Sequence, residues 1–158
     1  METQTAIISQ LITQWNKDVA AITAIFEKYN DETAYAEVAP GRNSVIYLLG
    51  HMIAVHDRII EALESGERLH ANLDKPFLSD ADAKSGYPSY TQLLTDWKKL
   101  NEKLTAVFAG QTPNDWLSRH HYVSEADFSK EPHRNRLAIL ISRLTHLSTH
   151  LGQLKLLK

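Results

Sequence analysis

Four stretches in which apolar residues return every three or four positions constrain this chain more than any other feature. The first, roughly residues 3–29, carries Ile8, Leu11, Ile12, Trp15, Val19, Ile22, Ile25, Phe26 and Tyr29. That spacing lays one apolar face along a helix. Pro40 and Gly41 interrupt it, and Asn43 or Ser44 can cap a second helix over about residues 44–64 by accepting a bond from an orphan N–H. Its apolar face is broad (Val45, Ile46, Leu48, Leu49, Met52, Ile53, Ile59, Ile60, Leu63), as suits a helix deep in a bundle. Ser65 and Gly66 end it, and about 24 residues of mixed polarity follow.

Ser89 with Gln92 resembles a capping box opening a third helix, which runs through Leu93, Leu94, Trp97, Leu100, Leu104, Val107 and Phe108 to Gly110. Thr112 followed by Pro113 predicts a short helical turn within the next connection. The last helix begins near Asn135 with Leu137, Leu140, Ile141, Leu144, Leu147, Leu151 and Leu154 in phase. No strand-like alternation competes and no internal repeat appears. The expected fold is all-α: a four-helix bundle with two long connecting loops, filling residues 1–158 as one domain. The loop before the third helix spans far more than the roughly 30 Å of a 20-residue helix, so helices two and three can run parallel. Both up-down-down-up and up-down-up-down orders are open on length alone.

The composition narrows the function. Seventeen basic residues face nineteen acidic ones for a net charge of −2, with no basic block, so no nucleic-acid partner is expected. There are no cysteines, which excludes disulfides, thiolate ligands and a cysteine nucleophile. The longest uncharged run, "NSVIYLLGHMIAVH", falls short of the roughly 20 apolar residues of a membrane span, and the N-terminal stretch lacks the pattern of a signal peptide. A cytoplasmic protein with no membrane partner is the expectation.

Against that background, "THLSTHLGQLKLL" (145–157) places two histidines four apart beside a leucine stripe. With eight histidines in the chain, roughly 0.4 such pairs arise by accident, so the pair alone carries little. Its direction adds weight. His146 and His150 lie roughly 40° apart at the edge of the stripe, and neighbours four apart can converge on one ion. His51 lies about 12 Å into helix two, and the pair about 15 Å before the end of the last helix. Were these helices antiparallel and in contact, three imidazoles would share one level. Neutral nitrogen ligands of this kind suit zinc, nickel, copper or iron. Affinity is then expected to weaken as pH falls through about 6, because protonated imidazole cannot ligate.

The other histidines read differently. His56 points about 140° away from His51, into the apolar arc, and is expected as a hydrogen-bonded core residue. His120, His121 and His133 fall in a connection and are expected to be exposed. Glu67 and His70 form one E-x-x-H unit where a di-iron bundle needs two, and "HLSTH" lacks the glutamate of a zincin. Asp57 points away from His51, so no general base can be named. The three tryptophans read as core.

"NSVIYLLGHMIAVHDRIIEAL" followed some 80 residues later by "HLSTHLGQLKLL" resembles the DinB/YfiT-like family of metal-binding bundles. In that family helix two carries one His after an apolar run and the last helix carries H-x3-H-x-G-Q, which His51, His146 and His150 match one by one. The resemblance implies an up-down-down-up bundle, a divalent metal (nickel or zinc) on those three histidines, and a homodimer. Some branches of the family are S-transferases using low-molecular-weight thiols such as bacillithiol or mycothiol. The expected function is therefore a divalent-metal-binding protein, a metal-dependent thiol S-transferase or small-molecule hydrolase. The alternative is a non-catalytic metal- or ligand-binding bundle serving sensing, storage or dimer stability. Gly152 would let a neighbouring helix approach. Gln153 shares the His150 face and could support that ligand, contact a bound molecule, or be a surface amide; His56 is a second candidate for supporting the ligands.

Overall fold

The computed structural model describes residues 2–157. Four long helices dominate: α1 (Glu2–Phe26), α2 (Val45–Ala62), α3 (Tyr90–Ala109) and α6 (Arg136–Leu154), with short α4 (Pro113–Leu117) and α5 (Glu125–Lys130) between the last two. The described residues form an all-α protein with no sheet; only two isolated bridges occur, Glu37 with Ser44 and Arg119 with Asn135. The short turn expected after Thr112 is α4, but the connections are more helical than expected, with α5 and two further turns after α2. No helix is long and apolar enough to cross a membrane among these residues.

The caps form largely where short polar side chains precede apolar runs. Ser44, Ser89, Thr112 and Asn135 each accept a bond from the backbone N–H three residues on. The reciprocal half of the box expected at Ser89 does not form, since Gln92 donates to Asp96 at 2.9 Å instead. The complete box lies at Thr112 and Asp115. The first helix stops at Phe26 rather than Tyr29.

The core is aromatic and aliphatic. Trp15, Trp97 and Trp116 are fully buried, as the sequence suggested. Trp15 meets Phe108 edge-on, Phe26 meets Trp97 edge-on, and the Trp97 indole donates to Thr23 at 2.8 Å. Ile141, counted on the apolar stripe, is instead 46% exposed.

Contacts between helix ends fix directions. The Tyr90 hydroxyl, at the start of α3, donates to the Phe26 carbonyl at the end of α1, so these two helices are antiparallel. Ser148 donates to Asp18 across α1 and α6, and Ile25, just before α1 ends, lines one cavity with Leu154, so this pair is parallel. Arg136, opening α6, pairs with Glu64 just beyond α2, while His150 near the end of α6 meets the first half of α2; these helices are antiparallel.

The connection after α2 is folded, not slack. Its 3-10 turn (Ala71–Leu73) and π turn (Lys75–Ser79) are pinned to α2 by buried Asp57. That carboxylate accepts from the N–H groups of Leu69 (2.8 Å) and His70 (3.0 Å) and from Arg68 (3.0 Å), and Arg68 also grips Asp74. Farther on, Asp82 accepts from the Ser44 N–H and the Tyr47 hydroxyl donates to the Asp80 carbonyl. Sequence periodicity misses these turns because Asp57, not an apolar stripe, organises them. The result is that Phe77 is driven onto the α2 backbone at Gly50.

Candidate metal centre

Antiparallel α2 and α6 bring His51, His146 and His150 together at one level. The Nε2 atoms of His51 and His146 are 3.0 Å apart, as are those of His146 and His150, and one ring nitrogen from each of the three lies within 4.8 Å of the others. Ligands at zinc–nitrogen bond lengths in a tetrahedral site stand roughly 3.4 Å apart, so a small outward movement accommodates an ion. Among the described residues no carboxylate joins the group.

The outer nitrogens decide what the inner ones can do. His51 Nδ1 lies 2.9 Å from the Phe77 carbonyl, which can only accept, so Nδ1 carries the proton and neutral His51 presents a bare Nε2 to the centre. His150 Nδ1 is bonded to Gln153 Oε1 at 2.8 Å, which likewise leaves its Nε2 bare. His146 can donate from Nε2 to one of these lone pairs but not to both, and its Nδ1 is buried without a partner. Three neutral imidazoles thus leave at least one inward lone pair unmatched, a conflict that one shared cation removes. The residues present therefore fit a divalent ion.

The rings are poised to bind at neutral pH. Burial, reinforced by His150, His51 and Arg143, pushes His146 down to about 3. Burial lowers His51 against the opposing pull of the Phe77 carbonyl, and lowers His150 against that of Gln153. Histidines held neutral in the fold are protonated first in the unfolded chain. Their contribution to stability is complete above the ordinary pKa of about 6.5 and is lost as pH falls from there toward the depressed folded values. Metal-free protein in chelator is expected to melt lower at pH 5 than at pH 7.5 by on the order of 5–10 °C, as calorimetry would show. A pH-independent melting temperature would contradict the burial of neutral rings. The loss of metal affinity expected near pH 6 moves lower for the same reason.

The remaining candidates separate. Gln153 supports His150 directly. His56 is fully buried, as expected, but neither ring nitrogen has a hydrogen-bond partner; it packs against Trp15 (4.7 Å between centroids) and Trp97 (5.3 Å) and makes no bond to the cluster. Burial holds it neutral, its pKa well below normal. His120, expected in solvent, is buried, and its Nδ1 accepts from the Tyr122 N–H at 3.2 Å; His121 and His133 are exposed. A Cβ at Gly152 would meet nothing within 4 Å, so no helix approaches there. Asp57 is structural, spent on the turns that follow α2.

The close approach is at Gly50 instead. A Cβ there would overlap the Phe77 ring, and that ring's residue supplies the carbonyl that orients His51. The signal was present in "LLGHM": a glycine inside a helix costs about 1 kcal/mol relative to alanine, which points to a packing reason. Tyr47 stacks on His51 with ring planes 13° apart, completing its wall.

Convergent histidines between antiparallel helices define a class, helical proteins with a built chelating cluster. The sequence profile of the DinB superfamily matches residues 14–154, and the chain belongs to that superfamily. Comparison with curated proteins gives no match.

Proposed function

We propose that the protein is a divalent-metal-dependent enzyme, with His51, His146 and His150 as ligands of nickel or zinc in an up-down-down-up four-helix bundle. The helix directions support that order, with α1 and α6 running one way and α2 and α3 the other. The observation that carries the metal reading is the convergence of three Nε2 atoms, two of them bare because Phe77 and Gln153 hold the protons on the far side. Three neutral ligands leave a coordination position for water or substrate, as in catalytic rather than structural sites. When bound, the ion would lower the pKa of water or of a thiol toward neutrality. The chain's own part is to orient His51 through the Phe77 carbonyl and His150 through Gln153, and to keep all three rings unprotonated.

The reaction class proposed is transfer to or from a low-molecular-weight thiol, or hydrolysis of a small molecule, in a cytoplasmic homodimer. A non-catalytic role in sensing, storage or dimer stability is the competing outcome. Protein loaded with zinc or nickel is expected to hold one ion per chain by elemental analysis, and His150→Ala to hold none. Screening the loaded protein with thiol and electrophile pairs and with ester and amide substrates should give metal-dependent turnover. Binding without turnover would leave the non-catalytic reading; no metal in wild type would end the enzyme reading and leave only a ligand-binding bundle.

A further inference from the structure

One helical turn from the histidine cluster, α2 and α6 flank an open cavity of ≈ 170 Å³ lined by Val55, Arg58, Ile59, Tyr122, Ile139 and Arg143. Val55 lies four residues after His51 and Arg143 three before His146, so cavity and cluster share the same interhelical groove. Arg143 is the anomaly in it. The residue is half-buried, its Nε is buried without a hydrogen-bond partner, and among the described residues no carboxylate pairs with it. Among the described residues its guanidinium donates to the Ser142 hydroxyl at 2.9 Å.

The other charges nearby are engaged. Arg58 pairs with Asp74 at 2.7 Å, and Glu61 accepts from the Tyr122 hydroxyl at 2.6 Å. Burial first, and then Arg58, disfavour the charged form of Arg143, with Tyr122 acting the other way. A half-buried guanidinium whose Nε is orphaned and which no carboxylate neutralises, kept beside a chelating cluster, leaves a place for an anion.

We infer that Arg143 is the anchor of a carboxylate subsite in the α2–α6 groove, gripping a small organic acid beside the histidine centre. The guanidinium fork matches a carboxylate bidentately. One uncompensated positive charge suits a monoanion, whereas a doubly charged phosphate would bring an unmatched negative charge into the groove. The apolar walls from Val55, Ile59 and Ile139 suit a short hydrocarbon stem, and the volume holds about six water-sized groups. Naming this acid as part of the substrate rests on the metal-dependent reading above; the subsite itself does not.

The test therefore uses metal-free, full-length protein in chelator at constant ionic strength. Propionate is the probe, with propionamide as its uncharged analogue and inorganic phosphate as comparator, and the Arg143 Nε–H resonance and the melting temperature are the readouts. Propionate should shift that resonance saturably with a Kd on the order of 1–10 mM, and propionamide should not. Arg143→Gln should abolish the propionate-induced rise in melting temperature, and Arg143→Lys should weaken binding about tenfold. Arg134→Gln, at an exposed pair with Glu131, should change nothing. Without propionate, Arg143→Gln should melt no lower than wild type, an outcome that a purely structural arginine would not give. No saturable shift in wild type, or equal propionate binding by Arg143→Gln, overturns the subsite; tighter phosphate than propionate overturns the carboxylate assignment. Should Arg143→Gln not fold, the wild-type resonance decides alone. Because chelator is present throughout, failure here is separate from failure to bind metal.

Discussion

Replacing His146 by leucine is expected to remove all protection by zinc while leaving the metal-free protein about as stable as before. In wild type, zinc at about 100 times its Kd is expected to contribute about 2.7 kcal/mol, or roughly 5–10 °C in melting temperature for a domain of this size. His146 sits at the centre of the cluster, 3.0 Å from both partners, so its loss leaves two ligands that face no third. Yet its ring is also a burden to the empty fold. Its Nδ1 is buried without a partner, and burial drives its pKa down to about 3. A leucine of similar volume removes the orphaned Nδ1 but also the donor to one neighbouring Nε2, and the two changes roughly offset. Paired thermal scans of both proteins, with zinc and with chelator, decide it. A large loss of stability in chelator would mean that the cluster is a structural hydrogen-bonded motif and not a site.

Gly50→Ala is the second large effect, and it reaches the centre from outside. The added methyl would overlap the Phe77 ring, which is fully buried and confined by Tyr47 and Tyr87 at centroid distances of 5.8 and 4.8 Å. The gain in helix propensity, about 1 kcal/mol, is opposed by overpacking of about 1–3 kcal/mol. A net destabilisation of up to about 2 kcal/mol is expected by chemical denaturation. Metal affinity should fall about 10–100-fold, since displacing Phe77 takes its carbonyl away from His51 Nδ1. Adding Phe77→Leu should recover part of the stability, because the two side chains compete for one space. Unchanged affinity in Gly50→Ala, with Phe77 displaced, would show that the carbonyl does not tune His51.

Much of this architecture could be read from the chain because it rests on local rules. Ser44, Thr112 and Asn135 announce helix starts by their chemistry, and the leucine spacing of α3 and α6 gives their length within a residue or two. The three histidines could be paired across helices because an antiparallel contact puts them at one height. What escaped reading depends on nonlocal contacts. The turns between Gly66 and Ser89 exist because Asp57 captures backbone N–H groups from residues 69 and 70, and no period in the sequence records that. His120 is buried by the connection packing back on α2, where the His121 N–H reaches the Ala62 carbonyl. The direction of His56 on its helix points to the core, but its ring lacks the expected hydrogen bonds because tryptophans from two other helices surround it.

The Phe77 carbonyl has a dynamic consequence as well. It ties one ligand position of the centre to the crossover after α2, which is held to that helix by the Asp57 network and by only two buried apolar side chains, Leu73 and Phe77, between residues 69 and 78. Such segments open locally at a smaller free-energy cost than the helices they cover. Each excursion of the crossover would free the His51 ring to rotate, so the lifetime of a bound ion would be governed by the opening of residues 66–80 rather than by unfolding of the core.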